Sequence, residues 1–185
     1  MNENAPAVEA VWEEIERWYA AQGAAHLLLP PATDEQIASV EATLGVELPE
    51  QVKASLCRHN GSTDGGWPKG LLLSCDGILS ETHVWRELLD DGSFDELKDF
   101  RSGGEALKPG WWNAGWVSLD ADGAGNGSVL DLSPGPAGEI GQVIDMDHEV
   151  GPSGPIANDF AGYLREVAAR LEEFSVTDGE HVEER

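Results

Sequence analysis

Three short apolar runs near the middle of the chain constrain its fold more than any other feature. Residues 116–119, 128–132 and 141–145 have the length and composition of β-strands, and glycine, proline and aspartate turns separate them. Strands that follow one another closely pair in antiparallel fashion, because a parallel pairing needs a crossover of about a dozen residues or more. The sequence therefore predicts an antiparallel meander at the centre of the fold.

Helical patterns precede these runs. Apolar residues recur every three to four positions over residues 8–22, which is the spacing of one face of an amphipathic helix. Thr33 and Gln36 form a capping box for a second helix, and Gly45 can end it in a left-handed conformation. Pro49 suits the first turn of a third, shorter helix. We therefore predict helices before the sheet.

The remaining elements complete an α+β pattern. Residues 71–74 are predicted to form a strand, and Ser80 is a suitable N-cap for a helix that carries Trp85. Asn158 can cap a last helix that extends to Phe174. Helices that cover one face of an antiparallel sheet are typical of the α+β class. We predict a central antiparallel sheet flanked by N-terminal helices and a C-terminal helix.

The chain has the length of one compact domain. Its 185 residues include seven tryptophans and 41% hydrophobic residues, which can fill a substantial core. We predict a single domain over residues 8–174, preceded by a flexible N-terminus at residues 1–7. Residues 175–185 are rich in acidic side chains and are predicted to be a disordered tail.

The expected location is the cytoplasm. The first residues lack the basic and apolar segments of a secretory signal, and the longest apolar runs fall far short of the ~20 residues of a membrane span. Cys57 and Cys75 belong to no CxxC pair, and the chain is large enough to fold without disulfides. Both are therefore predicted to be free thiols.

The net charge narrows the choice of partner. The 35 acidic residues against 11 basic ones give a formal charge of −24. Such a field repels nucleic acid and anionic membrane surfaces, whereas it accelerates association with a basic protein. Acidic residues also keep proteins soluble, so charge alone leaves that simpler explanation open. The expected partner is a basic protein, and neither nucleic acid nor membrane is expected to bind.

One segment resembles a metal-binding loop without completing it. Residues 120–125 place Asp120 and Asp122 at positions 1 and 3 of a calcium-type loop, with a glycine at position 6. Position 5 is Ala124, and position 12 is Asp131 where a bidentate glutamate is expected. Strands also flank the segment in place of helices. We therefore interpret it as a glycine-rich turn and predict no metal and no cofactor.

Two further candidate sites lie on either side of this turn in the sequence. Asp145 and Asp147 share one face of a strand and, with His148, are the types of residue that act as general acid and base. No nucleophile accompanies them, so solvated acids at a strand end are the simpler interpretation and no catalytic residue is predicted.

Trp67 lies on a glycine- and proline-rich loop, where an indole can be either an interface anchor or part of the core.

An ordered set of motifs resembles the SUKH superfamily. The set consists of Trp12 and Ile15, Leu48-Pro49-Glu50, Asn60-Gly61, Leu71-Leu72-Leu73-Ser74, Trp85, the tryptophan strand and glycine-asparagine turn of residues 116–127, residues 130–135 and 138–144, and the helix of residues 160–171. The resemblance covers residues 8–174. The family often has proline and isoleucine where this chain has Ser118 and Leu119, which is a local departure within one strand.

The resemblance carries expectations about function. The superfamily includes fungal Smi/Knr cell-wall assembly regulators and bacterial immunity proteins that bind and block a toxin, often a nuclease. It implies an α+β domain without enzymatic activity. The −24 charge agrees with an acidic inhibitor that covers the basic substrate surface of a nuclease.

Three hypotheses follow in order. The first is a toxin-neutralising immunity protein, the second a regulatory scaffold of the cell-wall regulator type, and the third a metal-dependent enzyme. For the first, the cognate toxin is the partner, and the candidate contact residues are Trp67, Asp120, Asp122, Asp131, Asp145 and Asp147.

Overall fold

The structure, a computed structural model, describes residues 5–185, with side chains described from Val8 onward. The helices are α1 Ala5–Ala21, α2 Asp34–Leu44, α3 Glu50–Arg58, α4 Cys75–Asp90 and α5 Phe160–Arg170. The strands are β1 Leu71–Leu72, β2 Trp116–Ser118, β3 Asp120–Ala121, β4 Gly127–Asp131, β5 Gln142–Asp147, β6 Gly151–Ala157, β7 Phe174–Thr177 and β8 His181–Glu184. Within residues 5–185, no helix is long and apolar enough to cross a membrane.

The predicted meander forms the main sheet and confirms the α+β class. Its strands lie in the order β2-β4-β5-β6, and every neighbouring pair is antiparallel. The short strand β3 leaves this sheet and pairs with β1. Strand β6 was not predicted, because Pro152 and Pro155 weaken the strand pattern. Its place at the sheet edge accommodates both prolines, since an edge strand needs fewer backbone donors.

Both faces of the main sheet are buried. Val117, Leu130 and Val143 face a core shared with α1, α2, α3 and α5. Their strand neighbours point the other way, where Trp116 and Ile144 join a second, aromatic cluster. The sheet also contributes Val129 and Met146, and the other members come from α4 and the irregular segment that follows it. The expectation that helices cover one face was therefore incomplete, because this aromatic layer covers the other.

Two helix starts differ from the predicted ones. The hydroxyl of Ser74 accepts a hydrogen bond from the Gly77 amide and begins α4, while Ser80 lies inside the helix. Asp159 begins α5 in place of Asn158, since its carboxylate accepts from the Gly162 amide at 2.7 Å. In both cases the residue with extended backbone and a bonded side chain is the cap. The capping box at Thr33 is confirmed.

The prediction of a disordered C-terminal tail is wrong. Strands β7 and β8 pair as an antiparallel hairpin, with Val176 opposite Val182. The Val182 amide also donates to the carbonyl of Gly65 at 2.8 Å, and its side chain joins the main core. The acidic composition obscured this element, because only two valines alternate with its charged residues. Of the N-terminal segment predicted to be flexible, residues 1–4 lie outside the described residues and residues 5–7 belong to α1.

The docked hairpin predicts slow amide exchange at Val182. We expect this amide to exchange with deuterium at least roughly tenfold more slowly than in an unstructured peptide of the same sequence, because it is bonded to Gly65. Hydrogen exchange followed by NMR measures it. The Val182→Asp variant should lose the protection, and exchange at the unstructured rate in the native chain would contradict the docking.

Candidate functional site

Two of the predicted contact aspartates are inside the protein. Asp120 is 1% exposed and Asp131 is 0% exposed. Neither can contact a partner in this conformation, so the prediction is wrong for both. Strand sequence alone predicts alternation of faces and does not show that both faces of this sheet are covered.

Asp120 is the centre of a buried polar network. One carboxylate oxygen accepts the Ser128 amide at 2.5 Å, and the other accepts the hydroxyl of Tyr163 at 2.5 Å. That hydroxyl in turn accepts the indole N–H of Trp67 at 3.1 Å. Trp67 is 0% exposed, so it is a core residue and the prediction of an interface anchor is wrong. The loop around it is closed over by Tyr19, whose hydroxyl donates to the Gly66 carbonyl.

Burial sets the protonation of this network. It raises the pKa of Asp120, while the nearby Lys69 ammonium and the hydrogen bonds from Tyr163 and Ser128 oppose the shift. Burial and the Asp120 carboxyl together raise the pKa of Tyr163 well above its usual value. Tyr163 therefore stays protonated and donates a hydrogen bond to Asp120. The network links β3, β4 and α5, and its polar groups are hydrogen-bonded to one another.

A surface layer of charge lies over the network. The Lys69 ammonium donates to Ser128 Oγ and to Asp145 Oδ1, each at 3.0 Å. Both charged side chains are about two fifths exposed, at 38% and 40%. Among the predicted contact residues, Asp145 is thus accessible but paired. Sequence reasoning missed Lys69 and Tyr163, since their partners are more than forty residues away and no local pattern marks such pairs.

Lys69 and Asp145 line a cleft beside α5. The cleft has a volume of about 500 Å³, and it is lined by Pro68, Lys69, Asp145, Ile156, Tyr163, Glu166, Val167, Arg170, Phe174 and Glu184. Its walls mix apolar side chains with charges of both signs. Arg170 is paired with Glu173 at 2.8 Å, so its charge is partly neutralised. Of the residues discussed above, Asp145 lines the cleft, whereas Trp67 and Asp120 are buried and do not line it.

Asp122 and Asp147 lie in the two turns at one end of the sheet. Burial acts to raise the pKa of Asp122, but hydrogen bonds from Asn126 and Ala124 outweigh it and leave the pKa below its usual value. Backbone hydrogen bonds from Glu149 and Val150 lower the pKa of Asp147. Both carboxylates therefore stabilise their own turns. Across the described part of the chain, no group of three or more histidine, cysteine or acidic side chains could hold a metal ion.

Asp131 fixes the opposite end of the sheet. Its carboxylate accepts the side-chain amide of Gln142 and the backbone amide of Ser133, each at 2.9 Å. Burial raises its pKa, and these two hydrogen bonds oppose the shift. Asp131 consequently holds the connection between β4 and β5 in one conformation.

The surroundings of the two cysteines lower the reactivity of their thiols. Both cysteines are free, as predicted, with Cys57 exposed and Cys75 buried. Burial raises the pKa of Cys75 to about 11, and burial also raises the pKa of Cys57. The nucleophilic thiolate form is therefore scarce at neutral pH.

Ion pairs inside the chain engage much of its positive charge. Within the described residues, five of the eleven Lys and Arg side chains pair with carboxylates, namely Lys53, Arg58, Lys69, Arg165 and Arg170. The Arg58 guanidinium, the strongest example, makes two hydrogen bonds to Glu16 at 2.6 and 2.7 Å and lowers the pKa of that carboxyl. Since 35 acids face 11 cations, the surface keeps a large excess of negative charge.

Comparison with known proteins gives one consistent result. The family model described as SMI1 / KNR4 family (SUKH-1) matches residues 31–166. The "Cell wall biosynthesis/cell cycle regulator smi1" of Schizosaccharomyces pombe is 32% identical over 187 residues, covering 90% of this chain and 36% of that protein. The "Glucan synthesis regulatory protein" of Neurospora crassa is 25% identical over 204 residues, covering 89% and 38%.

A budding-yeast relative agrees with these two. The "Cell wall assembly regulator SMI1" of Saccharomyces cerevisiae is 26% identical over 200 residues, covering 87% of this chain and 40% of that protein. The chain thus spans between about a third and two fifths of the length of these relatives.

The buried network predicts a loss of stability in the Tyr163→Phe variant. Removing the hydroxyl leaves one Asp120 carboxylate oxygen without its donor and Trp67 without its acceptor, so we expect the free energy of unfolding to fall by about 1–3 kcal/mol. Urea denaturation at neutral pH measures it. A change below about 0.5 kcal/mol, the range of ordinary surface substitutions, would contradict the role of the hydroxyl.

Asp120 also predicts a specific pH dependence. A carboxyl group whose pKa is raised by folding stabilises the protein fully only below its unfolded pKa, and this contribution is lost as the pH rises through the folded pKa. The native chain should therefore lose stability relative to Asp120→Asn as the pH rises above about 4. The Asp122→Asn variant is the control with the opposite trend, because folding lowers the pKa of Asp122. Parallel trends for both variants in urea denaturation would contradict these assignments.

Proposed function

This chain belongs to the SMI1/KNR4 family (SUKH-1), and from that premise we propose that it is a regulatory domain that binds a basic partner protein in cell-wall assembly. The SUKH resemblance of the sequence is confirmed by the family match. The relatives named above are described as regulators of cell-wall or glucan synthesis. Since the chain spans only part of each of them, the role of the whole proteins comes to this chain as a proposal.

The excess of acidic side chains at the surface carries the proposal. Five of the eleven basic side chains are already engaged in ion pairs, and the 35 acidic side chains far outnumber all eleven cations. A field of this sign speeds association with a basic protein and opposes nucleic acid and anionic membranes. Partner binding is the activity that such a surface favours.

The groups that catalysis would need are already engaged. Asp120 and Tyr163 are hydrogen-bonded to each other inside the protein, and Lys69 is paired with Asp145. The buried thiol of Cys75 has a raised pKa. These features support a non-enzymatic function, and they give no support to the metal-dependent enzyme considered from the sequence.

The immunity hypothesis receives no support from the named relatives, whose descriptions mention no toxin. The regulatory scaffold, ranked second from the sequence, agrees better with them. Charge does not separate the two, because a toxin and a regulatory target can both be basic.

A chimaera tests the proposal directly. In the chimaera, this chain replaces the matched region of the S. pombe relative, and the chimaera is expressed in S. pombe cells that lack that relative. We expect it to restore cell-wall glucan content, and growth on a wall-binding dye, to near the level of the intact relative. The physical reason is that a partner-binding domain works through its surface and needs no cofactor to be supplied.

Two controls make the chimaera decisive. A protein with the matched region deleted sets the lower level, and a chimaera carrying Ile15→Asp tests the need for a folded domain, since Ile15 is 0% exposed. If the native chimaera accumulates normally yet grows no better than the deletion, the proposed function is wrong.

A further inference from the structure

One large apolar side chain projects from the surface between two clefts. Ile140 lies on the turn before β5 and is 76% exposed. On one side, a cleft of about 350 Å³ separates it from the start of α3 and the start of α5. On the other, a cleft of about 620 Å³ runs along the loop between α2 and α3. We call Ile140 and the walls of both clefts the Ile140 surface.

The turn that carries Ile140 is held on both sides. The Gly141 amide donates to the Asp131 carbonyl at 2.8 Å, and the Gln142 amide donates to the Glu139 carbonyl at 3.1 Å. The Gln142 side chain accepts from the Glu139 amide and donates to Asp131 and to the Ala106 carbonyl. Gly141 has a φ of 91°, which few other residues adopt. Because the backbone of the turn is already held, docking at Ile140 requires little ordering of the main chain.

The walls of the Ile140 surface combine apolar and acidic groups. Val46 and Leu132, which are both half-buried, supply apolar area on the wider side. Glu47, Glu50, Glu139 and Asp159 supply the acidic groups of the two clefts. Of the residues that the structure describes, no lysine or arginine lines either cleft. Two cations pair with lining carboxylates: the Lys53 ammonium lies 2.5 Å from Glu50, and the Arg165 guanidinium lies 3.8 Å from Asp159.

We propose that the Ile140 surface is the docking site for a basic amphipathic segment of a partner protein. Apolar side chains of that segment lie in the two clefts against Ile140, and its lysines or arginines pair with Glu47 and Glu139. The inference rests on the proposed function and names the surface through which it acts.

Charge selects this occupant over a second copy of the chain. Another copy brings the same formal charge of −24 and the same glutamates, so self-association at this surface is opposed by repulsion. A basic segment neutralises the glutamates while it covers the isoleucine. Exposed apolar groups rimmed by charge are typical of such interaction sites.

Fluorescence anisotropy with a synthetic peptide tests the surface. The probe is a labelled peptide of lysine and leucine with helical periodicity, and the comparison probes replace lysine by glutamate or leucine by serine. The lysine-leucine peptide should bind with a Kd that rises steeply with salt, and both comparison peptides should bind far more weakly. Equal binding of the lysine-serine peptide would overturn the proposal, because charge alone would then suffice.

Substitutions locate the site. Ile140→Ser should weaken binding by about tenfold or more, as truncation of a central anchor does. The matched control is Val150→Ser, because Val150 is 68% exposed beside Asp147 and Glu149 but lines neither cleft, and it should change Kd by less than about twofold. Equal effects of the two substitutions, or none at Ile140, would refute the docking site.

The same substitution in the chimaera separates this inference from the proposed function. If the native chimaera restores the wall and the Ile140→Ser chimaera fails, both stand. If both chimaeras restore the wall equally, the regulatory function stands and the Ile140 surface is wrong. If neither restores it, the function is wrong, and the peptide measurements alone decide the surface.

Discussion

The hydrogen bond between the Asp120 carboxyl and the Tyr163 hydroxyl joins the strands to the last helix across 43 positions of sequence. Asp120 belongs to β3, which pairs with β1 and receives the β4 amide of Ser128. Tyr163 belongs to α5 and also receives the indole of Trp67 from the loop before β1. A buried polar group left without a partner is costly, so these elements are held in one mutual arrangement. The same arrangement fixes the positions of the surface residues over the network, including the Lys69–Asp145 pair.

Local signals predicted local structure well. The capping box of Thr33 and Gln36 needs only neighbouring residues, and the three strand runs needed only alternation and turns. The roles of Asp120, Asp131 and Trp67 were wrong because burial is decided by elements that pack from elsewhere in the chain. The local sequence around Asp120 gives no sign that a tyrosine forty-three positions away donates a hydrogen bond to its carboxylate. The C-terminal hairpin likewise depends on Gly65, which no pattern within the tail reveals.

The distinction between structural and surface acids changes the meaning of the charge. Asp120 and Asp131 serve the interior, and Asp122 and Asp147 brace their own turns. What remains for a partner is the larger set of glutamates on helices and loops, together with the few apolar side chains that stand among them. The family membership supplies a regulatory setting, and the placement of Ile140 between acidic clefts supplies a physical means of recognition.

In the proposed interaction, the partner contacts this acidic and apolar exterior and leaves the buried network intact. Methyl NMR on the complex with the lysine-leucine peptide tests it most directly, through intermolecular nuclear Overhauser effects. We expect these effects between peptide leucines and the Ile140 methyl groups, with the Tyr163 ring signals unchanged. Effects confined to Ile156 and Val167 of the cleft beside α5, or a shift of the Tyr163 signals, would contradict it.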